Sequence, residues 1–315
     1  MHQGYAEKTM SKSRGQQIRA NFLKDRWLYA MLIPGLLFFT IFKYGPMFGL
    51  TLAFKEYRPF LGFFGSKWVG FEHFRRFFSD STFVTLFSNT LTLSVLNILF
   101  NFPTPILFAI LLNEVRNRYF KKFVQTVTYL PHFLSWVVVA GLSYVMFTTA
   151  GGIVNESIKA LGFQPVNFLS SANMFRPMIV GQSMWKETGW GTIIYLAALS
   201  GVDMEQYEAA RIDGANRLQQ LWHITLPSIK PVIITMFILR LGSIIDSSFD
   251  QIYNMLNELN RSVGDVFDTY VFDTGITNGQ LSYATTVGLF KSAVGFLLVI
   301  SADRIAKKAG EEGIF

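Results

Sequence analysis

The chain has 315 residues and 35.8 kDa, with 50% hydrophobic residues, 16% charged residues and a mean hydropathy of +0.32. A soluble domain of this size carries about 25% charged residues, so there are too few here to coat a water-facing surface, and 32 Phe add to the apolar excess. The composition implies a membrane protein and excludes disorder, collagen-like repeats and a nucleic-acid-binding domain. The net charge of +7 is read as a record of membrane orientation rather than of a nucleic-acid partner. With no Cys, a disulfide scaffold, a thiolate metal site and a Cys nucleophile are all excluded.

A spanning helix needs about 20 mostly apolar residues, and six such stretches recur: 28–50, 86–112, 123–148, 178–199, 229–249 and 281–302. The predicted fold class is all-α, a polytopic membrane protein with six transmembrane helices. Its predicted organisation is a basic segment 1–27, a six-span domain 28–303 and a tail 304–315. The basic residues ahead of the first stretch resemble the start of a secretory signal, but no small-x-small site follows, which predicts an uncleaved first span. Loops on the side holding both termini carry 16 of the 28 Lys and Arg, and those on the other side carry 8. The bias places both termini in the cytoplasm.

Between the first two spans, Phe71, Phe74, Phe77 and Phe78 alternate with Arg75 and Arg76. That pattern is either a short helix in the membrane interface with its arginines at the headgroups or a folded loop cap. Pro34, Pro46, Pro103, Pro105 and Pro131 fall inside spans and predict kinks, which either frame a pathway or serve packing alone. Outer loops 150–177 and 250–280 hold Asn, Ser and Gly suited to adaptable hydrogen bonding rather than burial. They either dock a partner or seal the outer mouth. No P-loop, HExxH, GxSxG, paired carboxylates or dinucleotide fingerprint occurs, and the four His, at 2, 73, 132 and 223, have no metal-ligand spacing.

Loop 200–230 differs from a simple connector. Met204–Ile212 has the composition of a short helix, with Asp203 at its N-cap, Glu205 in its first turn and Gly214 placed to stop it. A second helical stretch, 217–225, runs to Pro227, which is expected to open the fifth span. Within this loop Glu208-Ala209-Ala210, then Gly214, Ile224 and Leu226-Pro227 reproduce, with Asp213 beside the glycine, the EAA motif. The chain therefore resembles the permease subunits of binding-protein-dependent ABC importers. YEAARIDGA at 207–215 is similar to the form in the carbohydrate-uptake branch, the maltose and glycerol-phosphate permeases. The likeness continues in VGFEHF at 69–74, GWGTIIYLAAL at 189–199 and FDQIYNM at 249–255, and WLYAMLIPGLLFFTIFKYGPM at 27–47 looks like the subgroup for larger or acidic oligosaccharides, including alginate-type importers.

The resemblance implies a type I importer permease fold in a bacterial cytoplasmic membrane, with loop 200–230 docked on a separate ATPase. It implies as partners a second homologous permease, two ATP-binding subunits and a solute-binding protein, with ATP and Mg used by the ATPase and no cofactor held by this chain. The competing classes are an ion-coupled secondary transporter, for which inverted repeats are expected and none is evident, and a membrane enzyme, for which a reactive cluster is missing. Four basic residues, Lys43, Lys186, Arg240 and Lys291, lie inside spans, where a lone charge costs about 3 kcal/mol. The span acids in view are Glu187, about 100° from Lys186 around the helix, and Asp246. Unbalanced positive charge, with Trp185 and Trp190 flanking Lys186, predicts either a path for an acidic oligosaccharide or pairing with a partner permease.

Overall fold

The computed structural model describes residues 24–242 and 248–308. Asp246, the basic residues at positions 8 to 19 and the last residues of the tail lie outside that range. The chain divides into two compact units at Leu52 and Ala53.

In the first unit, helix α1 (Arg26–Phe39) continues through a π-turn at Thr40–Tyr44. None of its residues is buried, so its apolar side chains face outward on all sides, as hydrocarbon permits.

The second unit opens on a two-residue antiparallel ladder of β1 (Lys55–Glu56) and β2 (Lys67–Trp68). Helix α2 (Glu72–Ser79) follows, and then α3 (Ser81–Leu96), capped by Asp80, whose carboxylate accepts from Thr82 N at 2.8 Å. Phe77 of α2 is fully buried in a cluster with Leu86, Phe267, Tyr283 and Val287, and the Arg76 guanidinium lies 4.3 Å over the Tyr283 ring. Phe77 packs on protein, as the folded-cap reading expects, while Phe71, Arg75, Arg76 and Phe78 are exposed, as the interfacial reading expects.

The second span is helical from Ser81 to Glu114, a π-turn at Asn97–Asn101 joining α3 to α4 (Pro103–Glu114). Three π-turns, at Thr40–Tyr44, Asn97–Asn101 and Leu221–Thr225, stand just ahead of Pro46, Pro103 and Pro227. A proline lacks the N–H that the carbonyl four residues back needs and collides with it, and a widened turn relieves the collision without ending the helix. Pro131 acts differently. Helix α5 (Arg118–Tyr129) passes into a 3₁₀ turn, Leu130–Phe133, and restarts as α6 (Trp136–Phe147), with Ser135 capping Val138 N at 3.3 Å. The two halves are bent by 104°. The kink expected at Pro131 is a full break in the third span, and α6, at about 1.5 Å per residue, is about 18 Å long, short of a hydrocarbon core of about 30 Å.

After α7 (Ile153–Ala160), helix α8 (Ala172–Ser200) is 29 residues long. It is not among the helices apolar enough to cross a membrane by composition, because it carries Gln182, Ser183, Lys186 and Thr192, all buried, on its protein-facing sides. Four described helices meet the composition test, or five with the bent pair as one. Helices α9 (Met204–Ile212), α10 (Arg217–Gln220) and α11 (Leu226–Gly242) follow; the fifth predicted span corresponds to the helix running from Arg217 to Gly242, and the sixth to the last helix, α14 (Leu281–Lys308).

Loop 250–280 is largely interior, which corrects the expectation of an adaptable exposed surface. It forms α12 (Phe249–Met255), a helical turn at Arg261–Gly264 and α13 (Phe267–Phe272), ahead of α14 (Leu281–Lys308). Ile252, Met255 and Val266 join Leu93, Phe175 and Ile179 in one core cluster. In the other outer loop Asn155 is fully buried; its Nδ2 donates to the carbonyls of Phe147, Thr148 and Val166, and its Oδ1 accepts from Val166 N. The polar residues of both loops satisfy the loops' own backbone.

Candidate functional site

Two regions hold the residues singled out by sequence. The first is loop 200–230. Asp203 accepts from Glu205 N at 2.9 Å and starts the helix Met204–Ile212. Its end is a Schellman turn: Ala215 N donates to Ala210 O at 2.8 Å and Gly214 N to Arg211 O at 3.1 Å, with Gly214 at φ 81°. Only a residue without Cβ adopts that φ freely. Asn216 and Gln219 then form a reciprocal capping box at 2.8 and 2.9 Å, which starts the helix Arg217–Gln220. As expected, Pro227 stands in the first turn of the spanning helix Leu226–Gly242, and the helix from Arg217 joins it through the π-turn without a break, so the second half of the loop is a continuous extension of a spanning helix.

Glu208, Ala209, Asp213 and Pro227 are exposed, and Ala210, Ile224 and Leu226 are half-buried. A concavity of about 370 Å³ beside the turn is lined by Ala210, Asp213, Gly214 and Ile224 among others. Ile212, Leu218 and Trp222 are also exposed. A carboxylate without an ion pair among the described residues, small side chains and uncovered apolar ones suit a surface seated in a partner's cleft. Sequence reading missed Tyr207, whose hydroxyl lies 2.9 Å from Thr225 Oγ1, and Arg217, which pairs with Glu114 at 3.0 Å. Tyr207 stands inside the motif, and its role needs the folded turn to become visible.

The second region is a cavity of about 420 Å³ among α3, α4, α6, α8 and the helix Leu226–Gly242, with Trp136, Glu187, Trp190 and Arg240 in its wall. The π-turn ahead of Pro103 contributes Asn97 and Asn101 to it; the buried Oδ1 of Asn101 accepts no hydrogen bond among the described residues that satisfies it. Of the residues expected to line a path, Trp190 and Arg240 line this cavity. Trp185 is 47% exposed and away from it. Lys186 lies behind the wall, its Nζ 2.7 Å from His132 O, 3.2 Å from Glu187 Oε1 and 5.3 Å from the centre of the Trp136 ring, so its aromatic neighbour is Trp136. The Glu187 and Lys186 side chains converge although their positions diverge around the helix. Lys291 donates to Asp268 at 2.6 Å, a partner outside the spans that the search for nearby span acids overlooked. Lys43 is exposed in the first unit. Among the described residues no group of His, Asp and Glu is arranged to hold a metal ion.

Comparison with known proteins places this arrangement. Residues 105–310 match the family described as binding-protein-dependent transport system inner membrane component, and the chain belongs to that family. It is thus the permease class of ABC importers, resident in the inner membrane, and the secondary-transporter alternative is set aside. Protein LplB of Bacillus subtilis (strain 168) is 53% identical over 306 residues, covering 97% of this chain and 96% of LplB. The polygalacturonan/rhamnogalacturonan transport system permease protein YteP of the same organism is 51% identical over 304 residues, covering 96% and 95%. A chain of a bacterial alginate ABC transporter, solved in complex with alginate pentasaccharide-bound periplasmic protein, superposes with a TM-score of 0.87 at 38% identity, covering 94% of this chain and 99% of that one.

Proposed function

We propose that this chain is one of two permease subunits of an ATP-driven importer of uronate-containing oligosaccharides. Its companions are a homologous permease, two ATP-binding subunits that use ATP and Mg, and an extracellular or periplasmic solute-binding protein. Both termini face the cytoplasm, the chain crosses the membrane six times, and loop 200–230 seats on an ATP-binding subunit through Glu208, Ala209, Ala210 and Gly214. The observation that carries the reading is the exposed helix, Schellman turn and capped helix of that loop, continuous with a spanning helix. The acidic substrate is supported by the names of the relatives, a polygalacturonan/rhamnogalacturonan permease and an alginate transporter.

In this reading ATP closes the two ATP-binding subunits and draws the docked loops inward. The spans then favour the outward-open state that receives sugar from the binding protein. ATP acts only through the differential stability of the two states, so import needs no ion gradient. The saccharide passes the cavity beside Trp190 and Arg240. The test is reconstitution of this chain with its ATP-binding subunits, partner permease and binding protein in proteoliposomes. Binding-protein-stimulated ATP turnover and uptake of oligogalacturonate without any ion gradient are expected. Uptake that instead required an imposed proton or sodium gradient would remove the proposal. Because the chain has no Cys, Ala209→Cys gives a single label site, expected to react from the cytoplasmic side alone.

A further inference from the structure

The cavity wall holds a carboxylate, Glu187, and a carboxylate there opposes entry of an anionic sugar. Among the described residues lining the cavity the other charged group is Arg240, on a different helix. In a site of reduced dielectric, two like charges a few ångströms apart repel far more strongly than in water. The surroundings of Glu187 answer this problem. Its Oε1 lies 3.2 Å from Lys186 Nζ and its Oε2 lies 2.8 Å from His132 Nδ1. The same Lys186 Nζ donates to the His132 carbonyl at 2.7 Å, with the side chain 8% exposed and the Trp136 ring beneath it. Apart from Glu187, the contacts of this lysine are at the elbow between α5 and α6, and the lysine does not line the cavity.

The elbow is held against α8 by more than charge. His132 stacks on Trp190 with ring centres 4.5 Å apart and planes 2° from parallel, and a Cβ at Gly189 would stand 2.0 Å from Thr128 O. One side of α8 therefore clasps the elbow while Glu187 and Trp190 face the cavity.

We infer that Lys186 is a specificity-determining residue that acts from behind the wall. It cancels the Glu187 charge and, with His132, fixes that carboxylate and the Trp190 ring, so that the cavity admits an anionic saccharide beside an aromatic surface. The inference rests on the proposed import of uronate-containing oligosaccharides. It assigns Lys186 a role different from that of a direct sugar ligand: the lysine matters because Glu187 is present.

A charge-deletion cycle tests this in the complete reconstituted transporter, with oligogalacturonate and its methyl-esterified, neutral counterpart of equal length as probes. The binding protein is the same throughout, so its own preference cancels when variants are compared with the parent. Lys186→Met leaves the carboxylate uncancelled, and the acid-to-ester uptake ratio should fall about tenfold, equal to about 1.4 kcal/mol. Lys186→Met/Glu187→Gln removes both charges and should return the ratio to within about twofold of the parent, whatever the absolute rate. Glu187→Gln alone should not lower it. Equal losses for both sugars in Lys186→Met, or a double variant as poor in ratio as the single one, overturns the inference while leaving the transport reading intact. A parent that carries the ester and never the acid overturns the substrate reading and the inference with it.

Discussion

Tyr207 and Thr225 meet across the turn of the exposed loop, phenol oxygen to Oγ1 at 2.9 Å. Tyr207 sits mid-way along the helix Met204–Ile212, and Thr225 is buried at the last position of the π-turn that leads into Leu226–Gly242. The bond ties the outermost helix to the root of a spanning one. Under the proposed coupling role, this bond is the contact through which a displacement of the first would reach the second.

Tyr207→Phe removes that bond and little else. The loss is expected to cost about 1 kcal/mol, too little to unfold the chain. Sugar imported per ATP should fall severalfold while binding-protein-stimulated ATP turnover stays near the parental rate. Unchanged stoichiometry would show that the two helices move together without it.

Gly214 and Glu208 fail in different ways. At φ 81° an alanine carries about 1–2 kcal/mol of strain, so Gly214→Ala should weaken docking of the loop moderately, and Gly214→Pro should abolish it. Glu208→Lys keeps the fold, because the side chain is exposed, but reverses the charge offered to the ATPase. Parental transport in both Gly214→Pro and Glu208→Lys would remove the coupling assignment; normal membrane levels with lost transport support it.

Much of this loop was legible because its signals are local. Asp203, Gly214 and the proline at 227 each act within one turn of helix, so sequence spacing alone located Met204–Ile212. The elbow at Pro131 was not legible in the same way. Pro46, Pro103 and Pro227 are absorbed by π-turns, whereas at Pro131 a 3₁₀ turn and a capping Ser135 complete the break, and the choice is decided by the α8 residues that hold the elbow. Loop 250–280 misled for a related reason. Its polar residues, such as Asn260, which donates to Leu169 O and Met255 O, satisfy buried backbone, and composition does not reveal which partner a polar residue serves. Lys291 was read without Asp268 because the pairing crosses from α14 to α13, 23 positions apart.

Two glycines of α8 separate close packing from helix propensity. A Cβ at Gly189 would stand 2.0 Å from Thr128 O and 2.4 Å from Thr128 C, whereas one at Gly181 meets nothing within 4 Å. Gly189→Ala must push the elbow off α8 and should lower the melting temperature of the purified chain markedly, with loss of transport. Gly181→Ala should be neutral or stabilising by up to about 1 kcal/mol. Equal behaviour of the two variants would mean that the elbow is not clasped as described.

Asn155 anchors the loop after α6 through its four hydrogen bonds. Asn155→Ala leaves the carbonyls of Phe147, Thr148 and Val166 and the N–H of Val166 to find other partners, at a cost of about 1–3 kcal/mol for each buried group left unpaired. Residues 148–166 should become accessible to protease added from the outside, while the spans and the ATPase contact remain intact. Resistance equal to that of the parent would show that the loop is held by its apolar contacts.

Lys291 and Asp268 provide the last prediction. Their ammonium and carboxylate lie 2.6 Å apart with side chains 14% and 23% exposed, and neither lines the cavity. Removing one member of a partly buried pair costs more than the about 0–1 kcal/mol of an exposed pair and less than the about 3–5 kcal/mol of a fully buried one, whereas replacing both by apolar residues of similar volume is often close to neutral. Lys291→Met should therefore lower thermal stability and reduce uptake of acidic and neutral oligosaccharides in the same proportion. Lys291→Met/Asp268→Leu should recover most of the stability and, with it, uptake of both. The discriminating quantity is the acid-to-ester ratio, which should not move in either variant. A selective loss of the acidic sugar in Lys291→Met, persisting in the double variant, would place Lys291 on the substrate path after all, with Asp268 only holding its charge until the sugar arrives.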